Sequence, residues 1–288
     1  MLHIYWLFTA ILWIGSTQTN PRSAQTDYEN LIAAERAFAQ LALDQGVKKA
    51  FVENLDEQSV VFQNNRFLPG KTTYQQLPDG SGKLTWRPAY AEISASGTLG
   101  YTTGPFEFRP RSLDEEPVSY GQFTSVWHKT ATGQWKVLID FGCTLSKPNQ
   151  PDFILQIPTQ VSSKSTLLLD TSVVSRALRK TELAFIQTAQ TKSLREAYQS
   201  VLPTSDSIRL LREGSSSSVG LTAKKIAVAS DQKVDYQLVR IISSPAGDLG
   251  YSYGYATFGN SRQGYLRIWR KRHNRWQLAH EVLGVKLT

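Results

Sequence analysis

The sequence predicts an α+β fold built twice, and three observations predict it. The run Gly97-Thr98-Leu99-Gly100-Tyr101-Thr102-Thr103-Gly104 returns at 247–254 as Gly-Asp-Leu-Gly-Tyr-Ser-Tyr-Gly, a glycine turn leading into an alternating, aromatic-bearing strand. A match at domain spacing marks a duplication. Each copy is preceded by residues of helical period and followed by strands of period 2. Helices first and strands afterwards is the order of a unit whose helices cover one face of a mainly antiparallel sheet.

The elements follow in order. Residues 2–15 are apolar except for His3 and Thr9, too short a run to span a bilayer comfortably as a helix, which takes about 20 residues. The run has the length of a secretory signal's apolar segment and leads into Gly15, Ser16 and Thr17. A signal peptide is therefore expected over 1–24, with the chain secreted or periplasmic; an uncleaved membrane anchor is the alternative. The first unit is expected over 25–147. Leu31, Ala34, Phe38, Leu41 and Ala42 mark one face of a helix over 27–45, with Gly46 as its stop. A short helix over 48–55 follows, then strands at 59–62, 84–94, 99–108, 120–128 and 135–142.

A linker with Pro148, Pro151 and Pro158 is expected over 148–171, and a second unit over 172–288. That unit repeats the order: a helix through Leu178, Phe185 and Ala189, a short helix over 193–202, and strands at 234–243, 249–258, 264–270 and 276–284. Glu182-x-x-Phe185 answers Glu35-x-x-Phe38, Tyr236 answers Trp86, Trp269 and Trp276 answer Trp127 and Trp135, and Glu281 answers Asp140.

Composition narrows the function. A lone cysteine, Cys143, excludes an internal disulfide and a cysteine-based metal cluster. The net charge of +8 is concentrated in the second unit, the first being near neutral, which a general nucleic-acid-binding character does not predict. With 12 Phe, 12 Tyr and 7 Trp there are aromatic side chains enough for two cores.

Each repeat resembles a SnoaL-like or polyketide-cyclase-like domain of the nuclear transport factor 2-like (NTF2-like) superfamily. The residues that carry the resemblance are Ala34-Glu35-Arg36-Ala37-Phe38, Leu84-Thr85-Trp86, Leu99-Gly100-Tyr101, Gly121-Gln122-Phe123 to Trp127, and Gly133-Gln134-Trp135-Lys136-Val137 ahead of Asp140. The resemblance covers most of the first unit and, more loosely, the second. It implies two cone-shaped, cystatin-like domains, each with a sheet wrapped around its long helix and an apolar pocket at the open end. Members of the family often dimerise through their sheets, which implies two repeats packed as a pseudo-dimer within one chain.

No G-x-S-x-G elbow, H-E-x-x-H helix, P-loop or G-x-G-x-x-G turn is present, and the histidines are only His3, His128, His273 and His280. Neither a metal site nor a cofactor is expected. Asp140 is the acid of interest, because it lies in the apolar run Val137-Leu138-Ile139-Asp140-Phe141, where a charge is costly unless paired or useful. Period 2 places it with Lys136 and Leu138, opposite Trp135, Val137 and Ile139. It is either a general base or ligand acceptor, or a strand-end acid bonded locally. Trp86, Tyr101, Tyr120, Gln122, Tyr236, Tyr251, Tyr253 and Glu281 are candidate ligand contacts, with core packing as the alternative for the aromatic ones. Arg267, Arg270, Lys271, Arg272 and Arg275 form a basic cluster that can meet an anionic partner or merely be solvated. The leading expectation is a small apolar or amphipathic ligand in a cone pocket. The rivals are acid–base catalysis by Asp140, as in the isomerases, dehydratases and cyclases the resemblance implies, and a basic interaction module.

Overall fold

Helix α1 (Pro21–Gln45) buries Tyr28, Leu31, Phe38 and Ala42 along one stripe and stops at Gly46, whose φ of 89° few other residues adopt. It is described from Pro21, ahead of the expected 27. The structure, a computed structural model, describes residues 21–147, 170–205 and 207–284. Most of the segment 1–24 and of the linker 148–171 lies outside the described residues.

After α2 (Val47–Asn54) come β1 (Leu55–Gln63), β2 (Arg66–Pro69), α3 (Gly70–Gln76), β3 (Lys83–Trp86), β4 (Tyr90–Ile93), β5 (Leu99–Arg109), β6 (Ser119–Lys129) and β7 (Trp135–Leu145). The sheet order is β2-β1-β7-β6-β5-β3, with β4 also on β5; every pairing is antiparallel except β1 with β7. The single strand expected at 84–94 is two, because Arg87-Pro88-Ala89 crosses directly over Gly104, where a Cβ would lie 1.9 Å from the Arg87 carbonyl oxygen. Gly254 holds the equivalent place under Gln237, and Gly100 and Gly250 lie equally close to Leu31 and Leu178 of the long helices. The duplicated glycines are thus points of close approach.

The second unit has α4 (Thr171–Thr191), whose first turn Asp170 caps at the Ser172 amide, and α5 (Leu194–Val201), capped by Ser193. Then follow β8 (Arg209–Arg212), β9 (Ser218–Val219), α6 (Gly220–Ala227), β10 (Asp235–Ser243), β11 (Leu249–Phe258), β12 (Ser261–Arg272) and β13 (Arg275–Leu283). Its sheet runs β10-β11-β12-β13-β8-β9, with β8 parallel to β13 as β1 is to β7. The elements that sequence reading missed, β2, α3, β8, β9 and α6, are all short, and their strands exist only through their sheet partners.

Each sheet packs one face on its own helices and the other on the second sheet. Leu99, Tyr101, Val126, Ile139 and Phe141 of the first unit meet Leu249, Tyr251, Leu266, Ile268 and Val282 of the second in one buried cluster. The buried pair Glu92–Arg270 crosses this junction, with an Arg270 Nη2 to Glu92 Oε2 distance of 2.5 Å. Burial alone would raise the Glu92 carboxyl; the Arg270 guanidinium overrides that and holds it below its usual range.

Candidate functional site

The local structure of β7 decides where Asp140 points. Its register against β6 shifts between Val126 and Trp127, so that Leu138 is an extra, bulged residue. The bulge resets the alternation. Val137 packs on the helix side with Trp127 and Phe51, Ile139 and Phe141 face the other sheet, and Asp140 returns to the helix side. Strict period 2 had grouped Asp140 with Lys136 and Leu138; the structure groups it with Val137 instead.

There it lines a cavity of about 200 Å³ together with Phe38, Phe51, Trp86, Phe106 and Phe123. Exposed Gly142 and Thr144 also line it and form its open side. Asp140 is partly exposed, yet enclosed by protein on its other sides. Among the described residues its side-chain partner is Ser125, whose hydroxyl donates to Oδ2 at 2.8 Å. Burial pushes its carboxyl up to about 6, against the lowering effect of that hydrogen bond.

A second carboxyl stands behind the wall. Glu35 on α1 is fully buried and accepts from Trp86 Nε1 at 2.6 Å, Thr102 Oγ1 at 2.5 Å and Trp127 Nε1 at 2.9 Å. Burial pushes it up to about 7 in spite of these donors, and the charge of Asp140 adds to the rise. Sequence reading passed over Glu35. The available signal was its place four residues after Leu31 on the apolar face of the helix, and its recurrence as Glu182.

The second unit fills the corresponding space. Glu182 and Glu281 are fully buried and joined by Arg267, whose Nη1 lies 2.7 Å from Glu182 and Nε 2.5 Å from Glu281. Arg212 also pairs with Glu281 at 2.5 Å and donates to the Tyr198 hydroxyl at 3.0 Å. The Arg267 guanidinium lies over the rings of Phe185, Tyr236 and Tyr265 at 3.9, 4.3 and 4.4 Å. Burial raises the Glu281 carboxyl, but Arg212 and Arg267 outweigh it and hold the group below its usual range. Glu281 and Tyr236, expected as ligand contacts, are instead the partners of an internal cation. The basic cluster is corrected with them: Arg267 and Arg270 are buried in ion pairs, leaving Lys271 and Arg272 half-buried and Arg275 exposed.

The remaining candidates separate. Trp86 is in the Asp140 cavity, and with Phe106 it also lines an adjacent cavity of about 190 Å³ that takes in Tyr120 and Gln122. Tyr101, Tyr251 and Tyr253 lie in the cluster between the sheets, because their strand faces point away from the helices. His280 joins them there. Its ring stacks on Tyr101 at 5.7 Å, Nδ1 donates to the Arg209 carbonyl at 3.2 Å, and Nε2 accepts from Thr124 at 2.8 Å. Burial pushes its basicity down to about 3.

The second unit also braces the first. Gly264 leaves room for Phe62, a further wall of the Asp140 cavity, since a Cβ at 264 would lie 2.4 Å from that ring. Gly214 donates its amide to the Thr144 carbonyl at 2.8 Å, beside the open side of the cavity.

Solved structures similar to this chain include proteins described as NTF2-like and as ketosteroid isomerase-like. An NTF2-like protein of unknown function from Shewanella oneidensis is 19% identical, covering 40% of this chain and 96% of its own, with a TM-score of 0.33. A ketosteroid isomerase-like protein from Erwinia carotovora atroseptica is 15% identical over 42% of this chain and 98% of its own, TM-score 0.33. An NTF2-like protein with a cystatin-like fold from Novosphingobium aromaticivorans is 14% identical over 44% and 88%, TM-score 0.35. No protein-family model and no curated protein matches the sequence.

Proposed function

We propose that the first unit binds a small amphipathic molecule against Asp140, and that the second unit serves as its scaffold. The observation that supports this reading is the aromatic cavity of about 200 Å³ with one carboxyl on its wall and an open side at Gly142 and Thr144. A concave, mostly apolar site with few polar groups is the usual form of a small-molecule site. The apolar segment at 2–15 supports export, so that the ligand is one met outside the cytoplasm. Saturation-transfer NMR with benzyl alcohol as probe tests the cavity. The expected result is transfer from the wild type and its loss in Thr144→Trp, where an indole covers the open side; equal transfer from both proteins overturns the reading.

A second reading is supported by the Asp140 carboxyl lying near 6, where it is both ionised at neutral pH and basic enough to accept a proton. If the bound molecule is turned over by proton transfer, Asp140→Asn removes turnover while leaving the fold intact. Unchanged turnover in that variant excludes Asp140 as the base.

A further inference from the structure

The two units carry a matching polar framework, and the main difference lies at its centre. Glu35 and Glu182 occupy the same place on their long helices, and each accepts a hydroxyl from the paired strand, Thr102 in one unit and Ser252 in the other. A tryptophan indole closes each network: Trp127 donates to Thr102 and Trp269 to Ser252. Asp140 and Glu281 are matched as firmly, since each lies just after a strand bulge and pairs in register with Ser125 or Arg267 on the neighbouring strand. The rings over which Arg267 lies, Phe185, Tyr236 and Tyr265, correspond to Phe38, Trp86 and Phe123, and all three of those line the Asp140 cavity.

What differs is the residue between the acids. The second unit has Arg267; the first has Ser125, too short to reach Glu35, and the cavity lies where the guanidinium would be. Among the described residues neither Glu35 nor Asp140 has a cationic partner. The walls are π faces, which attract a cation as well as an apolar body. The second unit therefore displays, as part of its own chain, the kind of group that the first unit's cavity is shaped and charged to hold.

From this equivalence, and resting on the cavity reading above, we infer that the ligand of the first unit is an organic cation, an amidinium, guanidinium or amine. Its charged head pairs with Asp140 and its body lies among Phe38, Trp86 and Phe123. Glu35 does not line the cavity and is occupied by three donors, so it contributes negative field from behind the wall. The titratable groups facing Asp140 are Glu35 from α1 and Tyr74 from α3, whose phenol burial pushes up and which stays neutral. Ser125 from β6 and Trp86 from β3 do not titrate in the working range.

Calorimetric titration with benzamidine, and with benzamide as its neutral counterpart, tests this. At pH 8 benzamidine is expected to bind roughly tenfold or more tightly than benzamide. That advantage should fall about tenfold at pH 5, where a carboxyl near 6 is mostly protonated. In Asp140→Asn the two dissociation constants should converge. Ser125→Arg restores the residue type of the second unit; it should raise the melting temperature and abolish benzamidine binding. Equal binding of the two probes by the wild type, or a charge preference that survives Asp140→Asn, overturns the cation and leaves the cavity reading standing. Failure of both probes to bind at millimolar concentration overturns both.

Discussion

The two units solve the same electrostatic problem in opposite ways. Each places two carboxyls, one on the long helix and one on the sheet below it, in surroundings that disfavour bare charge. The second unit neutralises Glu182 and Glu281 with Arg267 and Arg212, and packs Tyr198, Tyr236 and Tyr265 around them. The first leaves Glu35 to three neutral donors and Asp140 to one, so burial raises both carboxyls. One unit is a closed, self-paired core; the other keeps a cavity and pays in the difficulty of ionising its acids. A duplicated scaffold can leave a cavity in one copy and fill the equivalent space in the other, chiefly where Ser125 stands against Arg267, with Arg212, Tyr198 and Tyr265 adding to the closure.

Removing the internal cation breaks this comparison most sharply. Arg267→Met takes the cation from Glu182 and leaves Glu281 with Arg212 alone, and is expected to cost ~3–5 kcal/mol, read as a lower midpoint in urea unfolding. A loss under about 1 kcal/mol would mean that Arg212 alone can hold the pair of acids.

The pH dependence comes next. A carboxyl whose folded value is raised binds its proton more tightly when folded, so Glu35 makes the first unit less stable as pH rises from about 4.5 to about 7. Glu281 acts in the other sense, its contribution being lost as pH falls through its lowered folded value. Glu35→Gln should therefore remove up to roughly 3 kcal/mol of the decline between pH 4.5 and pH 7. Parallel stability–pH curves for the two proteins would contradict the raised value. His280 contributes opposite behaviour to Glu35: buried neutral, it costs stability as pH falls below about 6.5, and His280→Gln should flatten that limb of the curve.

The smallest effect is expected at the cavity itself. Asp140→Asn keeps the shape while removing a charge held near 6; the linkage limit of roughly 3 kcal/mol is cut by partial exposure and by the weaker bond from Ser125 to a neutral amide, leaving a stabilisation of about 1 kcal/mol at pH 8. Destabilisation instead would mean that the carboxylate has an acceptor role that the amide cannot reproduce.

Much of the fold was legible because it rests on local rules. The paired glycine motifs, the stripe Leu31–Phe38–Ala42 and the alternating strands gave the duplication, the α+β class and most strand positions. Asp140 was legible as an acid out of place in an apolar strand, and Trp86, Tyr120 and Gln122 as residues beside a cavity. Its direction was not, because the bulge at Leu138 depends on the pairing of β7 with β6, and one inserted residue reverses every side chain beyond it. The same holds for the basic run at 267–275. Sequence records the arginines, but only the folded chain brings Glu182 from a helix, Glu281 from the next strand and Glu92 from the other unit to meet them. Composition and periodicity determine which residues can be buried. Which charges are buried against each other, and where a cavity forms beside a carboxyl, is settled by contacts between residues far apart in the chain, and those belong to tertiary structure alone.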